Sequence, residues 1–435
     1  VSHETPLLTH IKPGPSVEIE VDGRRLSVCD KDMLSTALLA AGILATSRSP
    51  KYRRPRGPYC LEGDCGSCLV RVDGRPNQRA CMTRVSAGML VESQNVLRPR
   101  GFDPTQIVDR MFKNGLDHHH LMVRPRLVNQ VMQGVARELT GFGDLPSTED
   151  LPAATHSHIE TSVLIVGSGS AGRRAATILA EAGLNYRLVD RHERGHLEVE
   201  AFSTERIALP DDLLPQTAIF GAYPDESLWA AMTARPDGSS TLTTIRAQHV
   251  LLATGAREPT IPLPNNDLPG VLAARGLLRN LHLAHVLLTA RCVVIGKGPH
   301  AERCREALDA LRAEGVPSVE RVDPDAVLTL VGSTHVRGVE LNGKMLAADF
   351  VVLAPPPSPA HELAAQAGAE LVWSGNGYSP VRDDLGRITR CGTSQVWACG
   401  DICGYHGPDV AKRDASRVAH NIAAQLGVPN NGDSQ

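Results

Sequence analysis

The chain has 435 residues, 42% apolar and 21% charged, which is enough for two or three domains with their own cores. Aromatic residues make up only 3%, so the cores must be built mainly from Leu, Val, Ala and Ile. A net charge of −3 leaves no basic footprint for nucleic acid or an anionic membrane. The longest weakly polar run, LSTALLAAGILATS from Leu34, is too short to cross a bilayer and reads as a buried helix. No signal peptide is visible, so a cytoplasmic address is the expectation. Clustered cysteines then read as metal ligands or redox groups.

In chain order, SVEIEVDGRRLSVC alternates around Asp22-Gly23 as a β-hairpin does. DMLSTALLAAGI follows with helical spacing, with Asp30 as the expected N-cap. A second strand-turn-strand, CLVRVDGRPNQRAC, carries Asp73-Gly74 at its tip. Between them stands CLEGDCGSC. The spacing Cys60-x4-Cys65-x2-Cys68-x12-Cys81 is that of a plant-type [2Fe–2S] ligand set, with three thiolates from one loop and the fourth from a following strand. Gly63 and Gly66 let the backbone curl and aim N–H groups at the sulfurs, which favours the more negative, reduced cluster. Zinc and a disulfide pair are the alternatives; four-cysteine zinc sites usually join two C-x2-C pairs. Cys29 falls outside the pattern and reads as a small buried hydrophobe. The order of elements is that of a β-grasp ferredoxin-like domain.

A polar stretch ending in PAATHSHIE reads as a linker. The apolar strand Val163–Val166 then runs into Gly167-x-Gly169-x-x-Gly172, which opens an Ala-rich helix, and a second strand ends at Asp190. Gly167 suits the turn, Gly169 the approach of a pyrophosphate, Gly172 helix–strand packing, and Asp190 a ribose hydroxyl pair. Gly167, Gly169, Ser170, Ala171, Gly172, Asp190 and Arg191 are therefore candidate cofactor-binding residues. A second strand-glycine-helix unit, Gly296-x-Gly298-x-x-Ala301, carries Pro299 and His300, and Pro removes a phosphate-binding N–H. It reads either as a retained nucleotide site or as a scaffold.

Several other groups invite chemistry. Asp117–His120 (DHHH) could hold a metal, but consecutive helical residues point apart, so packing is the simpler reading. His156 and His158 carry the same reading. KYRRPR could steer an acidic partner or a phosphate, or be a solvated loop. Cys399 and Cys403 bracket a Gly-Asp turn as buried thiols rather than a redox disulfide.

AQHVLLATGARE, with Ala253-Thr254-Gly255, and TSQVWACGDICG, with Gly400-Asp401, resemble the later cofactor motifs of two-dinucleotide-domain flavoprotein reductases. Ala253, Thr254, Gly255, Gly400 and Asp401 join the candidate set on that resemblance, and the second glycine turn would hold NAD(P)H in such reductases. SRSPKYRRPRG (Ser47–Gly57), ATGAREPTIPLPNNDLPGV (Ala253–Val271) and the connector from Met111 resemble the α subunits of heterotetrameric sarcosine oxidase. The related hydrogen cyanide synthase and the heteromeric proline, hydroxyproline and opine dehydrogenases share the likeness, which covers nearly the whole chain. It implies an α/β flavoprotein with two Rossmann-like dinucleotide domains behind a β-grasp [2Fe–2S] domain. The expected layout is 1–98 for the cluster domain, 99–160 for a helical connector, 161–275 with 365–435 for the FAD domain, and 276–364 for a degenerate NAD-binding-like domain.

The resemblance implies an electron-transfer subunit of a heteromeric FAD-dependent amine or amino-acid dehydrogenase or oxidase, acting on CH–NH or CH–NH2 donors. Its partners would be an FAD-containing β subunit, a small third subunit and a downstream electron acceptor. Its cofactors would be the [2Fe–2S] cluster and FAD, with NAD or another adenine nucleotide as alternatives in the first fold and an FMN shared with the β subunit. The sequence keeps all four cluster cysteines and lacks the folate-binding half of sarcosine oxidase α. After Asp190 it has RGHLEVE where the family has Gly-Gly, which departs from the pattern on the isoalloxazine side. No substrate-binding Arg or general base stands out. A stand-alone NAD(P)H-dependent flavin/iron–sulfur reductase and a nucleotide-binding scaffold are the alternative functions.

Overall fold

The computed structural model describes residues 6–96 except 13, 31 and 50–53, then 154–192, then 207–428 except 209, 211 and 236–238. Asp117–His120 and the connector up to 153 lie outside the described residues, as does RGHLEVE. The chain divides into two compact units, 1–151 with 260–355, and 152–259 with 356–435.

The N-terminal part of the first unit comprises β1 (Leu8–His10), β2 (Ser16–Val21), β3 (Arg24–Cys29), α1 (Leu34–Ala40), β4 (Leu69–Val72), β5 (Arg75–Arg79) and β6 (Leu90–Ser93). The sheet order is β3-β2-β6-β4-β5, with β2 parallel to β6 and the other neighbours antiparallel. That is a β-grasp sheet. Its two tight turns are the expected Asp-Gly pairs, all four residues at positive φ as hairpin twist requires. Asp30 is not the N-cap of α1. Met33 holds that position, because it bridges to Arg84 and Leu34 N–H donates to the Thr83 carbonyl. Asp32 instead binds His10 at 2.9 Å, and half-buried Cys29 lies close by.

The second unit begins with β7 (Ala154–Val166), α2 (Ser170–Glu181), β8 (Tyr186–Val189), β9 (Thr217–Tyr223), β10 (Leu228–Ala234) and β11 (Ser240–Leu252). The stretch from Ala154, expected as linker, is the first half of β7. Its polar side chains belong to a strand because their hydroxyl and imidazole groups pair across to β11: Thr155 with Thr241 at 2.8 Å, Ser157 with Thr243 at 2.7 Å, and His158 with Thr244 at 3.0 Å.

The chain then returns to the first unit through β12 (Val271–Ala273), α3 (Ala274–Ala284), β13 (Val286–Leu288), β14 (Cys292–Ile295), α4 (Gly298–Ala310), β15 (Glu320–Val322) and β16 (Phe350–Leu353). The all-parallel order β12-β16-β14-β15 is dinucleotide-fold-like. It shares one compact unit with the β-grasp sheet, and β1 pairs antiparallel with β13.

Finally β17 (Arg387–Cys391), β18 (Ser394–Ala398) and α5 (Pro408–Gln425) complete the second unit. There β11 is shared: it runs parallel to β7 and β18 and antiparallel to β10. Alternation along β7 sends Val163 and Ile165 into the core beneath α2 and α5, and Leu164 and Val166 into the core on the opposite face. A sheet covered on both faces is the doubly wound arrangement. Among the described residues no helix is long and apolar enough to cross a membrane.

Candidate functional site

Cys60, Cys65 and Cys68 sit on one irregular loop ahead of β4. Cys81 lies in a short 3-10 turn, Ala80–Met82, after β5 rather than on a strand. Cys60, Cys68 and Cys81 are buried and Cys65 is exposed. The Cys68 and Cys81 sulfurs are 3.4 Å apart. Backbone N–H groups surround the sulfurs: Asp64 and Cys65 each reach Cys60 Sγ at 3.3 Å, Glu62 reaches it at 3.5 Å, and Ser67 reaches Cys65 Sγ at 3.4 Å. Gly63 and Gly66 both adopt positive φ in the loop. Arg79, which the sequence reading passed over, donates from its guanidinium to the Gly63 carbonyl and braces the turn.

Donation from the Cys65 and Cys81 side chains holds Cys60 well below the usual cysteine range, and donation from Cys81 lowers Cys68. Cys65 and Cys81, as the donors, are pushed up. Four sulfurs at this spacing, three of them buried and two of them met by backbone N–H groups, fit the thiolate demand of a [2Fe–2S] cluster. None of the ten cysteines forms a disulfide in the structure. Burial pushes the Cys403 thiol up to about 12 and the Cys399 thiol well above its usual value.

The dinucleotide candidates lie at the carboxyl ends of β7, β8, β11 and β18. Gly167 packs against the Ala253 carbonyl so closely that a Cβ would lie 2.4 Å from it, and Gly172 against the Gly167 carbonyl at 1.8 Å. Gly169 is the N-cap of α2, Ser170 is its first residue, and Ala171 touches the position a Gly400 Cβ would take. Thr254 Oγ1 donates to the Ala360 carbonyl, and the Gly255 carbonyl accepts from Ala360 N–H. Gly400 N–H donates to Asp414, which also pairs with Arg382 at 2.7 Å. The Asp401 carboxylate accepts from His406 N–H, and Arg191 is exposed. This backbone-lined cradle at the head of a helix fits the diphosphate of FAD.

Asp190 is more enclosed than its motif implies. Its Oδ2 accepts from Ser168 N–H and Oγ at 2.8 and 2.9 Å, and its Oδ1 from His192 N–H at 2.8 Å, with the His192 ring at 3.0 Å. Burial alone would raise this carboxyl, but His192 and Ser168 hold it well below the usual range. Ser168 and His192 were not singled out from sequence. The first lies inside the glycine turn and the second two residues past the acid, and neither offset is part of the fingerprint.

The second glycine turn keeps its shape, since a Cβ on Gly296 would meet the Ala354 carbonyl at 2.5 Å. Its charges are spent internally. Lys297, the N-cap of α4, pairs with Asp325 and lies 3.6 Å from Asp323, while Arg321 donates to the Gly296 carbonyl and pairs with Glu302. Arg54, from the basic loop, is likewise engaged, with two 2.7 Å bonds to Asp267.

Comparison with known proteins bears on the two domains. Residues 14–96 match a 2Fe-2S iron-sulfur cluster binding domain and 160–206 an FAD binding domain. The chain is 34% identical over 77 residues to hydrogen cyanide synthase subunit HcnA of Pseudomonas aeruginosa, covering 73% of that protein and 18% of this chain. It is 28% identical over 356 residues to sarcosine oxidase subunit alpha of Rhizobium meliloti, which takes in 74% of this chain. The chain belongs to the sarcosine oxidase α and hydrogen cyanide synthase A family. It spans only about a third of the Rhizobium relative (35%). The fold is that of L-proline dehydrogenase from P. horikoshii, with a TM-score of 0.72 at 20% identity over 98% of this chain and 76% of that one. The family's iron–sulfur and FAD domains are thus both present.

Proposed function

We propose that the chain is the electron-transfer flavoprotein subunit of a heteromeric amine or amino-acid dehydrogenase or oxidase acting on CH–NH or CH–NH2 donors. The observation that carries this reading is the four-sulfur cradle joined in one chain to a dinucleotide fold. When bound, the flavin accepts electron pairs and the iron–sulfur group passes electrons singly, which matches a two-electron oxidation to a one-electron acceptor.

The chain's own residues do the holding. Gly167, Gly169, Ser170, Ala171 and Gly172, with the first-turn N–H groups of α2, receive the diphosphate. Asp190 orders the turn through Ser168 on the ribose side, and Arg191 next to it is exposed. Ala253, Thr254, Gly255, Gly400 and Asp401 close the cradle towards the flavin. Cys60, Cys65, Cys68 and Cys81 hold the cluster. Substrate oxidation belongs to an FAD-containing β subunit, with an FMN shared between the subunits, a small third subunit and a cytoplasmic acceptor completing the system. The second dinucleotide fold serves as a scaffold, because Pro299 removes an N–H and Lys297 is paired with acids.

Co-purification with partner subunits tests this. The complex should carry about two irons per chain in the cluster, and an amine should bleach the flavin only when the β subunit is present. Bleaching of the isolated chain by NADH would favour the stand-alone reductase instead.

A further inference from the structure

Three successive carbonyls of the cluster loop rest on the second dinucleotide fold of the same unit. The Tyr59 carbonyl accepts from Ala273 N–H at 2.9 Å. The Cys60 carbonyl lies so near Gly276 that a Cβ there would come within 1.9 Å of it. The Leu61 carbonyl accepts from Asn280 Nδ2 at 3.2 Å. Ala273 ends β12, and Gly276 and Asn280 stand one turn apart on the same face of α3. Asn280 is 5% exposed. Its Nδ2 also donates to the Gly276 carbonyl at 2.8 Å, and its Oδ1 accepts from the Thr36 hydroxyl of α1 at 3.1 Å, so its amide has one workable orientation.

The consequence follows from covalent geometry. The Leu61 C=O and the Glu62 N–H belong to one planar trans peptide and point in opposite directions. Anchoring the oxygen at Asn280 therefore aims the N–H, which lies 3.5 Å from Cys60 Sγ. Local preference does not put this peptide there. Leu61 has φ +55°, an uncommon conformation for a bulky side chain, and tertiary contacts must hold it.

We propose that Asn280 is a positioning residue for the iron–sulfur group: by fixing the Leu61–Glu62 peptide it sets N–H donation to the Cys60 sulfur and so tunes the cluster's potential. The proposal rests on the iron–sulfur reading of the four cysteines. It gives the second dinucleotide fold a task unconnected with nicotinamide, carried by α3 rather than by the glycine turn ahead of α4. Donation to a cluster thiolate favours the reduced state, so removing the anchor disfavours reduction. One hydrogen bond is worth roughly threefold to tenfold in an equilibrium constant; tenfold in a one-electron couple is about 59 mV.

The test compares wild type, Asn280→Asp and Asn280→Ala as purified holoprotein, by EPR-monitored redox titration together with iron and flavin content. Asn280→Asp keeps the shape and the acceptor for Thr36 but has no donor for Leu61. Both variants should titrate at more negative potential, with the reduced-to-oxidised ratio at a fixed poise down about threefold or more and flavin retained. Selective loss of iron with flavin retained supports the same seating of the loop. A wild-type potential at full iron content in both variants overturns the proposal, as does joint loss of iron and flavin, which marks a purely structural residue. A wild-type protein without a [2Fe–2S] signal would instead sink the iron–sulfur reading itself.

Discussion

Asp190→Asn tests the enclosed carboxylate directly. The wild-type side chain accepts from two buried backbone donors, Ser168 N–H at one oxygen and His192 N–H at the other, both at 2.8 Å. Whichever way an asparagine amide turns, its NH2 faces one of them. That forfeits a charge-assisted hydrogen bond, about 1.5–3 kcal/mol, and strands a buried N–H at a further cost of about 1–3 kcal/mol. A total near 3–5 kcal/mol lowers the melting temperature of a unit this size by roughly 6–20 °C. The pH dependence has a definite sign. The folded pKa is depressed below the ordinary 3.8, so the carboxylate's stabilisation is fully present above about pH 4 and is lost as pH falls through the lower, folded value. The gap between wild type and variant should therefore close as pH falls below about 4. Thermal melts followed by far-UV circular dichroism, with and without added FAD, separate stability from cofactor affinity. A variant melting within about 1 °C of wild type at pH 7 would refute the account of Asp190 as the keystone of the turn.

Three further perturbations bear on the first unit. Gly276→Ala places a methyl 1.9 Å from the Cys60 carbonyl, a backbone atom that cannot step aside cheaply. Overpacking of about 1–3 kcal/mol should appear as reduced iron loading with flavin content unchanged. Cys81→Ala, which leaves no donor atom, should abolish the [2Fe–2S] visible spectrum; full iron content by elemental analysis would exclude Cys81 as a ligand. Arg54→Ala and Asp267→Asn, which break a two-bond pair about one-fifth exposed on each side, should show a coupling of about 1–2 kcal/mol in a double-mutant denaturation cycle. Additive effects would mean the pair contributes no net stability.

The sequence made the ligand set, the glycine turn and both Asp-Gly hairpins legible because each depends on local spacing and on residues with special backbone or metal chemistry. Where tertiary contacts decide, the reading went astray. The segment from Ala154 has the composition of a linker, and becomes strand only because Thr241, Thr243 and Thr244 stand opposite it on β11. Asp30 has the chemistry of an N-cap, but Thr83 and Arg84, some fifty residues later, fix where the helix starts. Asp190 was recognised by its offset from the glycines. Its enclosure depends on where Ser168 and His192 turn, which no periodicity encodes. Asn280 had no signal at all: one asparagine beside Arg275, Arg279 and His282 in α3 carries no mark of its role until the carbonyl it serves is known.

The basic loop shows how such long-range pairing changes a functional reading. Arg54 and Arg56 looked available for an acidic partner or a phosphate, yet Arg54 is committed to Asp267 and Asn265, and Arg56 lies 3.2 Å from Asp267. These residues belong to two of the stretches on which the family likeness first rested, Ser47–Gly57 and the part of Ala253–Val271 beyond Thr260. Those stretches meet in one unit, beside the contacts of Tyr59, Cys60 and Leu61 with β12 and α3. A cluster domain held by an ion pair, by the β1–β13 pairing and by three carbonyls of the ligand loop itself is a fixed part of its unit rather than a shuttling ferredoxin. Separating it from α3 would undo the seating of its own ligand loop, which is why the potential of the cluster and the integrity of the second dinucleotide fold are to be measured on the same protein.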